Sequence, residues 1–120
     1  MIDDALMQYA GKALQRTVLA RSVVTRVRVW YSPQAFRSPI SLSVEYPPLN
    51  PSGFFAGREL VIVPGAILDG LDRGKCEAII DWVVGDMANR IYDKAPRVAN
   101  QTGSLEITPI KKPRARRVRA

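Results

Sequence analysis

Histidine is absent from this 120-residue chain. Without an imidazole there can be no serine–histidine–aspartate or cysteine–histidine arrangement for nucleophilic catalysis, and no histidine ligand for a metal ion. The sequence also lacks a phosphate-binding loop and the glycine pattern of dinucleotide-binding domains. We therefore expect a protein without enzyme activity and without a cofactor.

Cysteine and long apolar runs are scarce as well. The single cysteine, Cys76, excludes an internal disulfide and a cysteine-based metal cluster. It lies near Ile80 and Val83 on a predicted helix, so we expect a small buried side chain rather than a reactive thiol. No apolar run approaches the length of a membrane span, and the N-terminus has no basic segment ahead of an apolar one. The sequence therefore predicts no membrane contact and a cytoplasmic location in the producing cell.

Acidic residues are missing from the last ten positions, where six cations are concentrated. These are Lys111, Lys112, Arg114, Arg116, Arg117 and Arg119. The whole chain has 18 basic and 11 acidic residues, so residues 1–110 contain 12 basic and 11 acidic residues. The pI of about 10.1 therefore reflects the tail. We predict a single domain over residues 1–110 and a separate basic arm over 111–120.

The arm has almost nothing apolar to bury, so it is not expected to order itself. Basic arms commonly neutralise phosphates and release counterions, which predicts non-specific contact with nucleic acid. Two alternatives remain open. The arm could lie on an acidic surface of a neighbouring subunit, or it could serve only solubility.

The periodicity of the body predicts a small α+β domain. Helical spacing predicts helices over residues 3–21 and 75–92, and alternating side chains predict strands over 23–31, 40–46 and 59–63. Residues 104–110 could add an edge strand before the arm. The expected order is helix-strand-strand-strand-helix, with a small mixed sheet, helices packed on it, and Phe54 and Phe55 anchoring a proline-rich connection to the core.

The first strand carries the one basic and aromatic row of the body, formed by Arg26, Arg28 and Trp30. An exposed indole between arginines could stack a base while the guanidinium groups contact phosphate. Arginine and tryptophan are also enriched at protein interfaces. A third interpretation is a charged face that only keeps the strand soluble.

Residues 50–90 resemble a known family in the order and spacing of their motifs. A loop from Asn50 leads to a short apolar strand over residues 60–63, then to a turn bounded by Gly65 and Gly70, then to a helix. This order is similar to that of the gluzincin metallopeptidases of the HtpX type and their single-domain relatives, the minigluzincins. The resemblance implies a zincin-like fold, in which the helix would carry His-Glu-x-x-His.

The matching helix carries none of those residues. The resemblance places Trp82 and Asp86 at the histidine positions and Val83 at the glutamate position. Tryptophan cannot bind zinc and valine cannot accept a proton, so a lone Asp86 leaves no metal site. The downstream ligand of such enzymes has no match here except Glu106, on a predicted strand. We expect a scaffold that has lost its metal and its activity, and we keep a residual hydrolase only as a third possibility.

The stripe of that helix formed by Trp82, Asp86 and Asn89 has two interpretations. In a zincin it would face the substrate cleft. An aromatic residue at helical spacing is more often a packing residue. We therefore favour packing of Trp82 on the sheet, beside a solvated carboxylate and amide.

These observations favour a non-catalytic structural protein of a larger assembly. A compact scaffold with a basic arm suits a phage or viral particle, in the capsid or head-tail connector region, where the chain would be an oligomer contacting nucleic acid or other subunits. The alternative is a free nucleic-acid-binding or regulatory protein that acts through the arm and the Arg26, Arg28 and Trp30 row.

Overall fold

A computed structural model describes residues 3–32, 39–48, 57–97 and 103–110. It contains three helices and four strands within these ranges. In chain order they are α1 (Asp4–Leu19), β1 (Arg26–Tyr31), β2 (Ile40–Tyr46), β3 (Gly57–Val63), α2 (Gly65–Leu68), α3 (Arg73–Tyr92) and β4 (Ser104–Pro109). The predicted α+β class, with helices packed on a small mixed sheet, is confirmed.

The sheet has the strand order β3-β2-β1-β4. β2 pairs antiparallel with both β1 and β3, whereas β4 pairs parallel with β1. The edge strand predicted near residues 104–110 is therefore confirmed. A parallel neighbour needs a crossover connection, and here α3 lies in the chain between β1 and β4.

Aspartate side chains begin both long helices. The Asp3 carboxylate accepts a hydrogen bond from the backbone N–H of Leu6 at 2.8 Å, and Asp72 accepts one from Lys75 at 2.8 Å. Such caps satisfy backbone donors that a helix leaves free at its first turn. Because Asp72 is the cap, α3 begins two residues before the predicted Lys75. Gly70, with φ of 80°, makes the turn ahead of this cap.

The helices cover one face of the sheet and enclose the core with it. The largest fully buried side chains of this core are Leu6, Met7, Leu14, Val18, Val27, Val29, Ile40, Leu42, Val44, Leu68, Met87 and Ile91. Cys76 is buried, as predicted, with its Sγ near the carbonyl oxygens of Leu68 and Leu71. Helical spacing from Cys76 and Ile80 predicts that Val83 is buried with them, but Val83 is only half-buried, whereas Ala88 is buried.

Gly11 allows β4 to pack against α1. A Cβ atom at this position would lie 2.9 Å from the Cδ1 atom of Ile107 and 3.1 Å from the Cδ1 atom of Leu105. The sequence marks this glycine only as a weak point of the helix. The structure shows that its missing side chain leaves room for two residues of the last strand.

Three polar contacts connect helices and strands that are distant in the chain. The Tyr9 hydroxyl donates to Asp81 at 2.6 Å, which joins α1 to α3. Tyr31 on β1 donates to Asp4 at the start of α1. Burial, followed by this hydrogen bond to Asp4, raises the pKa of Tyr31 to about 12. Lys94, just beyond α3, donates to Glu59 on β3 at 3.1 Å, and this bond raises the pKa of Lys94.

The first strand is shorter than predicted. The alternation from Val23 places Val24 on the basic face, but Val24 is buried and β1 begins only at Arg26. The backbone of Val23 is held by the carbonyl of Pro96 at 2.7 Å instead of by a neighbouring strand. Phe54, Phe55 and the arm lie outside the described residues. No helix within the described ranges is long and apolar enough to span a membrane.

Candidate interaction surface

The sheet turns its second face away from the helices, and we call this the outer face. The pairing register aligns its side chains in three rows across β3, β2, β1 and β4. The rows are Arg58, Glu45, Arg26 and Ser104; then Leu60, Ser43, Arg28 and Glu106; then Ile62, Ser41, Trp30 and Thr108. The basic and aromatic row predicted from sequence therefore forms part of this face.

Glutamates hold the arginines of β1. Arg26 lies 3.3 Å from the Glu106 carboxylate and 3.8 Å from that of Glu45, and Arg28 lies 3.4 Å from Glu106. Exposed ion pairs of this kind add little to stability. They do reduce the charge that the face presents to a phosphate. The predicted basic face is thus nearly neutral, because Glu106 reaches it from β4.

Arg28 also stacks on Trp30, with its guanidinium carbon 4.2 Å from the centre of the ring. Its Nε atom is buried and forms no hydrogen bond of good geometry, although the Glu106 oxygen is within ion-pair distance. We take this contact as electrostatic rather than as a hydrogen bond, since the alignment is poor. The stack fixes a flat aromatic and guanidinium surface on the central strand.

Ser43 lies at the middle of the outer face. Ser41 and Ser43 alternate with apolar residues along β2, a pattern that predicts a serine face in water, but Ser43 is fully buried. Its hydroxyl has no hydrogen-bond partner within the described part of the chain. The long side chains of its cross-strand neighbours, Arg28 and Leu60, flank a much smaller residue. The expected wet face is therefore wrong at its centre.

Aliphatic side chains extend the outer face to the edge strand. Leu60 is 46% exposed and Ile62 is 57% exposed, and both lie on β3. Sequence reasoning did not identify these two residues. Residues 60–63 are all apolar and show no alternation, so only the register with β2 shows which side chains point outward. Together with Trp30, they give the outer face apolar groups beside paired charges.

The positions matched to a metal site lie elsewhere, on α3. Asp86 pairs with Arg90 at 2.7 Å, and Arg90 also approaches Glu59 at 3.6 Å. Val83 packs against the core. No group of three or more histidine, cysteine or acidic side chains suited to a metal occurs among the described residues. The Asp86 carboxylate thus takes part in an ion-pair network between α3 and β3.

The prediction that Trp82 packs on the sheet is wrong. This side chain is 73% exposed, the largest exposed fraction among the large apolar side chains described. Asn89 is not simply solvated either, because it accepts a hydrogen bond from Arg21 at 3.0 Å. The stripe formed by Trp82, Asp86 and Asn89 therefore presents an isolated indole to solvent.

The six cations of the arm, from Lys111 to Arg119, lie outside the described residues. The structure does fix where the arm begins. The backbone N–H of Ile110 donates to the carbonyl of Tyr31 at 2.6 Å, next to Trp30 on β1. The arm therefore leaves the body at the edge strand, beside the end of the Arg26, Arg28 and Trp30 row.

Comparisons with models of protein families, with curated proteins and with solved structures gave no significant match.

Proposed function

We propose that the protein is a non-catalytic component of a larger assembly and that its outer face binds a neighbouring protein subunit. One observation carries the proposal: the Arg28 and Trp30 stack has its charge balanced by Glu106 and continues into exposed Leu60 and Ile62. A protein partner can cover these apolar groups without leaving the arginines of β1 as uncompensated buried charges. Tryptophan and arginine are the residues that most often anchor such interfaces.

The arm supplies the second contact of this proposal. Its six cations suit phosphates of nucleic acid or an acidic surface on a neighbouring subunit. An assembly that holds protein subunits beside nucleic acid would use both contacts. A phage or viral particle is such an assembly, and we place the protein in its capsid or head-tail connector region.

The proposed ancestry is a zincin-like scaffold without metal chemistry. The edge position of β3, the adjacent α3 and the order of these elements support it. Trp82 and Asp86 lie one helical turn apart, as a pair of ligands would. An indole cannot bind zinc, and the Asp86 carboxylate is already paired with Arg90. The proposed descent keeps the fold and replaces the site.

The alternative is a free nucleic-acid-binding or regulatory protein. It would need Arg26 and Arg28 to contact phosphate, and both arginines lie within ion-pair distance of Glu106. Phosphate binding there would have to displace a carboxylate already in place. The outer face is therefore better suited to a protein partner, and the arm remains the element suited to phosphate.

The test is sedimentation of the tagged, full-length protein from its native host through a density gradient. We expect it to sediment with a particle, and the double substitution Leu60→Ser with Ile62→Ser to move it to the free fraction. The matched control is Ile67→Ser, which removes an equally exposed aliphatic group from α2. Free wild-type protein, or an equal loss from the particle with Ile67→Ser, would contradict the proposal.

A further inference from the structure

The exposure of Trp82 has no explanation within the fold described above. Trp82 lies in the middle of α3, a helix of 20 residues, and is 73% exposed. Residues in the interior of a long helix are held rigidly, so this exposure is not the fraying of a helix end. A tryptophan left in water on a rigid element has the properties of an interface anchor.

The neighbours of Trp82 on one side of the helix surface are small, whereas Ile79 and Asp86 lie on its other side. Ala78 lies one turn before it and Gly85 lies three residues after it. Among the described residues no atom from another part of the chain comes within 4 Å of the place where a Gly85 Cβ would stand. The indole therefore projects beside an open, shallow area on its own helix.

These residues belong to a regular stripe, which we call the outer stripe of α3. It alternates steps of three and four residues and runs opposite the buried stripe that contains Ile80, Val84 and Met87. Its members are Lys75, Ala78, Trp82, Gly85, Asn89 and Tyr92. Spacing of this kind is that of a helix that packs along another helix.

The outer stripe is complementary in size to an antiparallel copy of itself. When two such helices run antiparallel about a two-fold axis midway between positions 82 and 85, Trp82 of each lies opposite Gly85 of the other. Ala78 then lies opposite Asn89. A parallel pair would instead set tryptophan against tryptophan and glycine against glycine, which leaves a clash and a gap.

The same register brings two opposite charges together. Lys75 of one copy lies beside the C-terminal end of α3 of the other, next to Asp93 and to Tyr92, on which Arg21 and Arg97 stack. The Asp93 side chain is 81% exposed, with only a 3.5 Å contact to Arg97. Lys75 is exposed and has no carboxylate within ion-pair distance among the described residues. The exposed Asp93 carboxylate, which pairs with Arg97 in its own chain, is therefore accessible to Lys75 of a second chain.

We propose that α3 binds α3 of a second copy of this chain, antiparallel and about a two-fold axis, with each Trp82 covering Gly85 of the other copy. The contact is isologous, so it closes as a dimer. It leaves the outer face of the sheet uncovered on the far side of each body. The dimer therefore goes beyond the proposed function and does not depend on it.

One feature limits the strength of this dimer. α1 runs parallel to α3, because Tyr9 contacts Asp81 and Arg21 contacts Asn89. In the pair, the two α1 helices face each other on one side and bring exposed Lys12 close to its symmetry mate. This repulsion opposes the burial of Trp82. We expect a dimer that dissociates on dilution rather than a permanent one.

The test is sedimentation equilibrium of the full chain over about a hundredfold range of concentration, where a reversible dimer shows itself by mass action. Gly85→Leu fills the space that the indole would occupy and should raise the dimer dissociation constant by about tenfold or more. The open surroundings of Gly85 and the helix propensity of leucine keep the fold intact, which circular dichroism checks. The double substitution Leu60→Ser with Ile62→Ser should leave the dimer unchanged.

A charge exchange tests the register. Lys75→Asp alone should weaken the dimer, and adding Asp93→Lys should restore it, because the pair is then re-formed with reversed signs. A wild-type chain that stays monomeric throughout would overturn the proposal. So would a Gly85→Leu chain that dimerises like the wild type. Failure of the double variant to recover would overturn the antiparallel register.

Discussion

The outer face of the sheet and the outer stripe of α3 are both exposed, but they are built in different ways. The outer face combines side chains from four strands, and its two arginines on β1 already have carboxylates within ion-pair distance. In the outer stripe, Arg21 contacts Asn89 and Tyr92, but the Trp82 indole lies mostly in solvent. The charges of β1 are balanced within the chain, whereas this indole is left uncovered, as an indole on a self-associating surface would be.

The largest expected effect separates the outer stripe from the buried stripe of the same helix. Val84→Asp places an unpaired charge in the core and should lower the free energy of unfolding by about 4 kcal/mol or more. Asn89→Asp keeps an acceptor for Arg21 and should change it by less than about 0.5 kcal/mol. Urea denaturation of both variants measures this difference. Equal midpoints would show that the faces of α3 are wrongly assigned.

The second prediction asks whether either surface, or only the arm, binds nucleic acid. Removing residues 111–120 should abolish most duplex DNA binding while leaving the melting temperature unchanged. For six phosphate contacts the full chain should show a log-log salt slope of about −5. Fluorescence anisotropy over a salt series measures both quantities. Undiminished affinity of the shortened chain would assign the binding to the body.

A companion variant tests the balance of charge on the outer face. Glu106→Gln removes the carboxylate shared by Arg26 and Arg28, so it should raise DNA affinity even in the shortened chain. Its effect on stability should stay within about 1 kcal/mol, since the ion pairs are exposed. Unchanged affinity would show that Glu106 is not what keeps these arginines from phosphate.

The last prediction applies only at alkaline pH and concerns the contact between β1 and the start of α1, on the side of the sheet away from the outer face. Burial and the hydrogen bond to Asp4 raise the pKa of Tyr31 from 10.0 to about 12, so the folded protein disfavours the phenolate. The stabilising contribution is complete below pH 10 and is lost as the pH rises to about 12. Tyr31→Phe should flatten this part of the stability profile. An identical alkaline loss in both proteins would argue against the assignment.

The local structure was largely predictable because its causes are local. Helical spacing predicts α1 and α3, and alternation predicts β2 with the observed bounds, Ile40–Tyr46. The exposure of Trp82 also had a signal. Residue 82 lies two positions from both Ile80 and Val84, so it points about 200° away from each on a helix. The general preference of aromatic residues for packing obscured this geometry.

The outer face could not be predicted because it depends on which strands become neighbours. Glu106 meets Arg26 and Arg28 only because β4 pairs in parallel with β1. Leu60 and Ile62 join the face only through the register of β3 with β2. Contacts that are distant in the chain leave no periodic signal in a single sequence. The basic row predicted on β1 is present, but the sequence did not show the glutamates that the neighbouring strands place beside it.

The parallel pairing of β1 with β4 also bears on the order of folding. It joins Arg26 to Ser104, on either side of α3, and long-range closure of this kind is slow to form. During synthesis β1 has an unpaired edge until β4 is made, and the space beside Gly11 stays empty for as long. The arm follows β4 directly in the chain. Because this pairing is slow, the basic extension is already synthesised while β1 still has an open edge, so unfinished domains carry the arm.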